Sequence, residues 1–577
     1  MVERSPFGVP DGDHRFLDLY GLTPGGVVQL RSPRSVRRRA RAFVAGLSVV
    51  TFAALGVAAA SGPTAAVGDA GSQHHGRSSD WPTWSLNTSG TRYNANERTI
   101  TPRNVDQLEL KWAYTFGNVP YSRVGSQPAV ADGVLYVGGP DGKFVALDAR
   151  SGKTRWSYDA AAVTGPLPDG SPNGIRDGAA VAGNKVYFGD STGRVFALYR
   201  ETGEVAWISR ASTQPNSVMT SSPLVVGNRL FVGVSTLEAG YVRDQNYPCC
   251  KHRGQVLALD TRTGKVIWNY YTLRPAEPVG TWPSGATKFA PSGGSVWSSP
   301  VADLRTRTIF VGTGQNTTGM EGDINSVIAL SMDTGKVRWK NRMTFPDTYT
   351  TACEDDDPGE YCPGKGTYAL DADFGASANV IEVRGRTLVT IGQKNGMFYA
   401  FDARSGRVVW KTEVAPGPLG GVGVQWGSVF DGRYLYGATW YDHPAKLFKL
   451  DATNGRIVWQ TPHPADGCET GGAAPHPDIC TAIFTPAPSG TPGLIYEGSG
   501  DGKFRVFSSR TGEILYTYDA VRDFQGVNGV PGRGSALSGN GGAVIANGMV
   551  YVMAGYYPFY PTDKGVVMLA FGLKDRK

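Results

Sequence analysis

The chain has 577 residues, 41% of them hydrophobic, with 77 glycines and 37 prolines to punctuate turns, the composition of a globular β protein. It exceeds the usual size of one domain, for which a ring of repeats is a known exception. The net charge of +7 is mild and partly confined to the N-terminal segment, so nothing points to nucleic acid. No strand, glycine-rich turn and helix unit appears either, which argues against a nicotinamide enzyme.

In chain order, the first feature is a run of arginines, Arg31, Arg34, Arg37, Arg38, Arg39 and Arg41, followed by the uncharged stretch Ala42 to Ala60. A basic flank, an apolar run and then the small residues Ala58-Ala59-Ala60-Ser61 form an export-signal pattern. The run is also long enough to span a bilayer, so an uncleaved anchor is the alternative. Residues 1–60 are thus read as a basic segment with signal or anchor, 61–79 as a disordered spacer, and 80–577 as the folded domain. The expected location is outside the cytoplasm: extracellular, periplasmic or in the cell envelope. All six cysteines lie beyond the signal in three local pairs, Cys249/Cys250, Cys353/Cys362 and Cys468/Cys480, which predicts disulfides in an oxidising compartment.

One unit then recurs. An apolar run ends in Asp or a substitute, a turn with Thr-Gly or Ser-Gly follows, and a short β-rich stretch ends in Trp. Copies end at Trp156, Trp207, Trp268, Trp339, Trp410 and Trp459, with Tyr516 in a decayed seventh. The spacing, roughly 50 to 70 residues, falls in or above the propeller-blade range. Gly152, Gly203, Gly264, Gly335, Gly406, Gly455 and Gly512 supply the positive φ each hairpin needs, and each Trp can bury its ring between neighbouring sheets. With an upstream strand pair, one repeat is a four-stranded antiparallel sheet that cannot cover both its faces alone. The predicted fold is all-β, an eight-bladed β-propeller. Its eighth blade is split between the segment Leu108 to Trp112 and the strands of Ala543 to Leu573, which removes an exposed sheet edge.

Three stretches carry a family resemblance. Asp80-Trp81-Pro82-Thr83-Trp84 with Arg92-Tyr93-Asn94 and Asn104 to Trp112 resembles the opening segment of quinoprotein alcohol dehydrogenases, eight-bladed propellers that bind pyrroloquinoline quinone (PQQ). The repeat resembles that family's tryptophan docking motif. Ser235 to Glu238 with Tyr247 to Gly254, and Gly420 to Gly427, are similar to its polyvinyl alcohol dehydrogenase subgroup.

The resemblance implies a site. A vicinal disulfide Cys249–Cys250 would cover one face of the planar cofactor, and Trp297, in Gly-Gly-Ser-Val-Trp, would stack on the other. Lys394, in Gly392-Gln393-Lys394-Asn395-Gly396, would bond the quinone oxygens and stabilise negative charge on the reduced cofactor. Gln425 beside Trp426 stands where relatives carry a cofactor-bonding Asn, and Arg176 is a candidate for a cofactor carboxylate. Ca²⁺ would be held by oxygens of Glu238, Gln315 or Asn316, and Asp323. Asp323 is the expected catalytic base, with Glu321 in reserve, although counting back from Ala329-Leu330 puts Asn325 at the family's Asp position. The implied activity is oxidation of secondary alcohols, including polyvinyl alcohol-like polymers, to ketones by an exported enzyme. No Cys-x-x-Cys-His occurs, so electrons would leave through an external acceptor such as cytochrome c. The alternative is a non-catalytic propeller acting as an envelope scaffold or binding protein.

Overall fold

Each repeat folds into an antiparallel meander whose innermost strand is short and apolar and whose outermost strand alternates buried with exposed residues. Blade one shows the pattern: Ala129–Ala131, Val134–Gly138, Lys143–Asp148 and Thr154–Asp159 pair in sequence order. The computed structural model describes residues 79–577 except 117–125, 168–171, 243, 245, 417–422, 441–443, 474–479, 485, 538, 540, 556–565 and 576–577. The N-terminal arginines, the stretch Ala42 to Ala60 and the spacer to residue 78 lie outside the described residues, as do Gly420, Gly421 and Val422. Among the described residues no helix is long and apolar enough to cross a membrane.

Eight such sheets form the propeller, seven of them each from one contiguous stretch of chain, though Asn316–Thr318 interrupts blade four to pair with Ser292–Gly293; blade three carries a fifth short strand, Ser217–Val218. The eighth is split as the sequence predicted: Leu108–Thr115 pairs along Val567–Leu573, which continues into Met549–Ala554 and Val544–Ala546. Each of the eight outer pairings slips register by one residue beside its Trp or Tyr, between Ala146 and Leu147 in blade one and between Leu110 and Trp112 in blade eight. Such a bulge re-aims a side chain, and here it turns the aromatic toward the next blade.

The indoles reach across in a repeated way. Trp156 Nε1 donates to Arg200 O at 2.9 Å, Trp268 Nε1 to Met332 O at 3.0 Å and Trp339 Nε1 to Ala403 O at 2.9 Å. Beneath each ring lies the turn glycine of the following blade, where a Cβ on Gly335 would stand 2.5 Å from the Trp268 ring. Trp459 departs from the pattern. Its Nε1 lacks a partner, and the carbonyl at Ser509 accepts from Lys449 Nζ at 2.8 Å instead.

The innermost strands of neighbouring blades touch one another around the axis. The segment from Trp81 to Asn94 ties seven of them together. Its backbone bonds Val130, Val181, Ala302, Val380, Phe430 and Gly490 in blades one, two, four, five, six and seven, and Asn94 Nδ2 donates to Ile545 O in blade eight. Arg92 is fully buried in this strap. Its guanidinium donates to Trp84 O, Gln127, Pro488 O and Ser489 at 2.7–2.9 Å and lies 4.3 Å over the Trp84 ring. Burial lowers its pKa to about 9 despite the opposing Glu497.

Candidate active site

The segments leading into the innermost strands of blades four, five and six converge. Trp297 precedes Val301–Asp303, Asp373 and Gly375 precede Asn379–Val383, and Trp426 precedes Val429–Phe430. Trp297 is half-buried, and its Nε1 donates to Asp373 Oδ2 at 2.9 Å. The Trp426 ring meets Trp297 edge-on, with centroids 4.9 Å apart. A Cβ on Gly375 would overlap the Trp297 six-membered ring, so glycine there lets the indole lie flat against the backbone. Trp426 holds φ +63°, and its indole nitrogen is buried without a partner.

Lys394 joins this cluster from blade five. Its backbone N donates to Asp373 O at 3.0 Å and its Nζ pairs with Asp371 at 2.5 Å. Burial pushes the Asp371 carboxyl up to about 7, with Lys394 opposing the shift. Burial works against the Lys394 ammonium, but the carboxylates of Asp371 and Asp373 outweigh it and keep the cation charged. Gln315 reaches the same carboxylate: its backbone N donates to Asp373 Oδ1 at 2.7 Å, and its side-chain amide, nitrogen inward, donates to Asp373 as well. Asn316 is fully buried. Its Nδ2 donates to Ser292 O and Glu321 O, and its Oδ1 has no partner.

The adjacent cysteines are bonded as Cys249–Cys250, and Cys353–Cys362 and Cys468–Cys480 form the other two disulfides. Both vicinal sulfurs are buried against Val242, Trp282 and Ala352. Trp282 Nε1 donates to Cys249 O at 2.8 Å and its ring stacks on Tyr361, inside the loop that Cys353–Cys362 closes. The disulfide and Trp297 hang from one backbone pairing, in which Gly293 N donates to His252 O and Gly254 N to Gly293 O. Glu238 is fully buried and accepts from Tyr247 Oη at 2.7 Å, Lys251 N at 2.9 Å and His252 N at 2.6 Å.

The structure thus brings Trp297, Lys394, Gln315 and Trp426 together around Asp373, and places Glu238 beneath Cys249 and Cys250. Gln425 is half-buried next to Trp426, and Arg176 stands one residue before buried Asp177 at the start of blade two's innermost strand. Asp323 is elsewhere. Its carboxylate accepts from Tyr270 Oη and pairs with Lys340 at 2.5 Å, both on outermost strands, and Glu321 pairs with Arg274 at the surface. Asn325 donates to buried Asp347 at 2.8 Å. The expected base Asp323 thus bonds the outermost strands of blades three and four. The carboxylates that do meet Trp297 and Lys394, Asp373 and Asp371, escaped the sequence reading. Their signal was positional: Asp371 to Gly375 enters blade five's innermost strand much as Gly293 to Trp297 enters blade four's.

Comparison with known proteins places this geometry. Residues 81–351 match the glucose/ethanol/alcohol dehydrogenase β-propeller family, and residues 394–567 match the outer membrane protein assembly factor BamB family. A polyvinylalcohol dehydrogenase from a Pseudomonas species is 32% identical over 494 residues, covering 82% of this chain and 73% of the relative. That of a Sphingopyxis species is 30% identical over 503 residues, covering 83% and 73%. Among solved structures, a quinohemoprotein alcohol dehydrogenase from Pseudomonas putida superposes with a TM-score of 0.61 at 20% identity, covering 86% of this chain and 81% of that one, a likeness of fold. The chain belongs to the PQQ-dependent quinoprotein alcohol dehydrogenases. It is an enzyme of the polyvinylalcohol dehydrogenase-like kind.

Family membership implies PQQ together with a metal ion, and the donor set can be tested against both. A flat anionic ring suits a half-buried indole and a charged lysine, while the vicinal disulfide is itself fully buried. Among the described residues no three Asp, Glu, His or Cys side chains converge as a ready metal cage. A cation held here draws on amide oxygen as well, and the partnerless Oδ1 of Asn316 is such a donor.

Proposed function

We propose that this protein oxidises secondary alcohols to ketones, with polyvinyl alcohol-like polymers as substrates and an external acceptor such as cytochrome c taking the electrons. The observation that carries the reading is that Trp297 and Lys394 both bond Asp373, the indole through its carboxylate and the lysine's backbone N through its carbonyl, with Trp297 on a backbone shared with the vicinal disulfide. The indole-over-glycine contacts between blades support reading the repeat as the family's tryptophan docking motif.

When bound, PQQ supplies the two-electron acceptor and Ca²⁺ a Lewis acid beside it. Trp297 would carry one face of the ring, fixed from behind by Gly375 and from the side by Trp426. Cys249–Cys250 would cover the other face, backed by Trp282 and Ala352. Lys394 would donate to the ring oxygens, its charge sustained by Asp371. Asn316 and Asp373 would hold the metal, with Gln315 orienting the carboxylate. Glu238 already accepts three donors and would serve the metal with its remaining lone pairs. Arg176 and Gln425 remain the proposed partners of the cofactor's carboxylates. In place of Asp323, Asp373 would take the substrate hydroxyl proton, since its carboxylate stands against the Trp297 indole and Gln315. Three disulfides agree with an exported protein in an oxidising compartment, with residues 1–60 as signal or anchor.

The test is reconstitution. Purified protein given PQQ and CaCl₂ should quench tryptophan fluorescence in a saturable titration and then reduce a redox dye with polyvinyl alcohol and with small secondary alcohols. Absence of any PQQ binding with calcium supplied would overturn the reading.

A further inference from the structure

We infer that Asp347 is a positioning residue, a buried carboxylate that shapes the loop carrying Asp371 and Asp373; this rests on the reading above of those two residues. Asp347 is fully buried. Its Oδ1 accepts from the backbone amides of Leu370 at 2.8 Å and Asp371 at 3.1 Å. Its Oδ2 accepts from Ala372 N and from Asn325 Nδ2, both at 2.8 Å. Three successive amides thus converge on one anion in a concave nest. Such a nest needs a left-handed residue within it, and Asp371 has φ +52°. A residue with a Cβ rarely adopts that conformation, and here the carboxylate's bonds hold it.

The consequence is geometric. With Asp371 left-handed, its side chain meets Lys394, and two residues later Asp373 meets Trp297 and Gln315. Asp347 also fixes two other site segments. Asn325, itself left-handed at φ +43°, is pinned through its side chain, and Asn316 N donates to Asp347 O at 3.1 Å. The Asp347 side chain therefore sets the relation of residues 325 and 370–372, and its backbone carbonyl holds residue 316. An amide in its place must turn its NH₂ group toward at least one backbone N–H, so the nest loses an acceptor whichever way it lies.

The experiment compares wild type, Asp347→Asn, Asp373→Asn and the double variant, each loaded with PQQ and Ca²⁺. Asp347→Asn should lower kcat by about 10- to 100-fold, as removal of supporting partners commonly does, while KM for the alcohol changes less than about threefold. Because Asp347 acts through Asp373, the double variant should be no slower than Asp373→Asn alone. Should Asp347→Asn fold poorly, Asn325→Ala removes one donor from outside the nest and should show the same kcat-selective loss, only smaller. Wild-type kcat in Asp347→Asn, or losses that multiply in the double variant, would overturn the inference. A wild-type protein that binds no PQQ would instead refute the function proposed above.

Discussion

Asp373 and Asp323 carry the same chemical group in different surroundings. Asp373 faces an indole N–H, a backbone N–H and a glutamine amide, whereas Asp323 pairs with Lys340 and accepts from Tyr270 Oη. Asp373→Asn should therefore cut kcat by at least about 100-fold, within the range for loss of an acid–base group, with PQQ still bound. Asp323→Asn should stay within a few-fold of wild type. Gly375→Ala offers a second check at this scale. The new methyl overlaps the Trp297 ring, so the indole must shift, and PQQ affinity should fall together with the thermal midpoint. Trp297 and Lys394 were legible because each lies in a short local motif next to a strand. Asp373 was not, because the disulfide-closed insertion between Asp347 and Asp371 breaks the counting from the repeat, and an Asp-Ala-Asp stretch looks like an ordinary turn.

A blade depends on what its neighbour gives it. The turn glycines combine two demands, a left-handed φ and no side chain under the preceding indole, as at Gly335 with φ +67° beneath Trp268. Gly335→Ala should destabilise by about 1–3 kcal/mol, the scale of overpacking a tight contact, read as a lower denaturant midpoint with unchanged slope. The offset from glycine to Trp was readable because each turn glycine and the Trp of its own blade lie within one short unit. The exception at Trp459 was not, since it turns on Lys449 reaching the next blade's carbonyl. The hairpin Glu277–Thr281 with Thr287–Ala290, which carries Trp282 over the disulfide, also left no repeat signature to follow.

At the level of the ring, polar groups buried near the axis set how stability answers to pH. Asp177 is fully buried. One oxygen accepts from Gly189 N at 2.6 Å and the other has no partner, so burial holds its pKa well above the ordinary carboxylate value. A folded-state value above the unfolded one favours folding only while the group is protonated, and the advantage disappears as pH rises. Asp177→Asn should therefore raise the thermal midpoint at about pH 8 and leave it nearly unchanged at about pH 3, below the unfolded value. Equal midpoints at the higher pH would show that the carboxyl is solvated or paired. The number of blades and the split eighth blade were legible from the repeat alone, because closure leaves one strand unmatched at each end. The strap from Trp81 to Asn94 was not, since its bonds are backbone bonds to strands far along the chain.

The pairing of Leu108–Thr115 with Val567–Leu573 sets an order of events during synthesis. The earliest strand to leave the ribosome finds its mate only when the latest has been made. Until then it presents a bare flank to every other nascent copy. A premature stop codon anywhere ahead of Val567 should thus yield clumped polypeptide, not a shorter enzyme with some residual turnover.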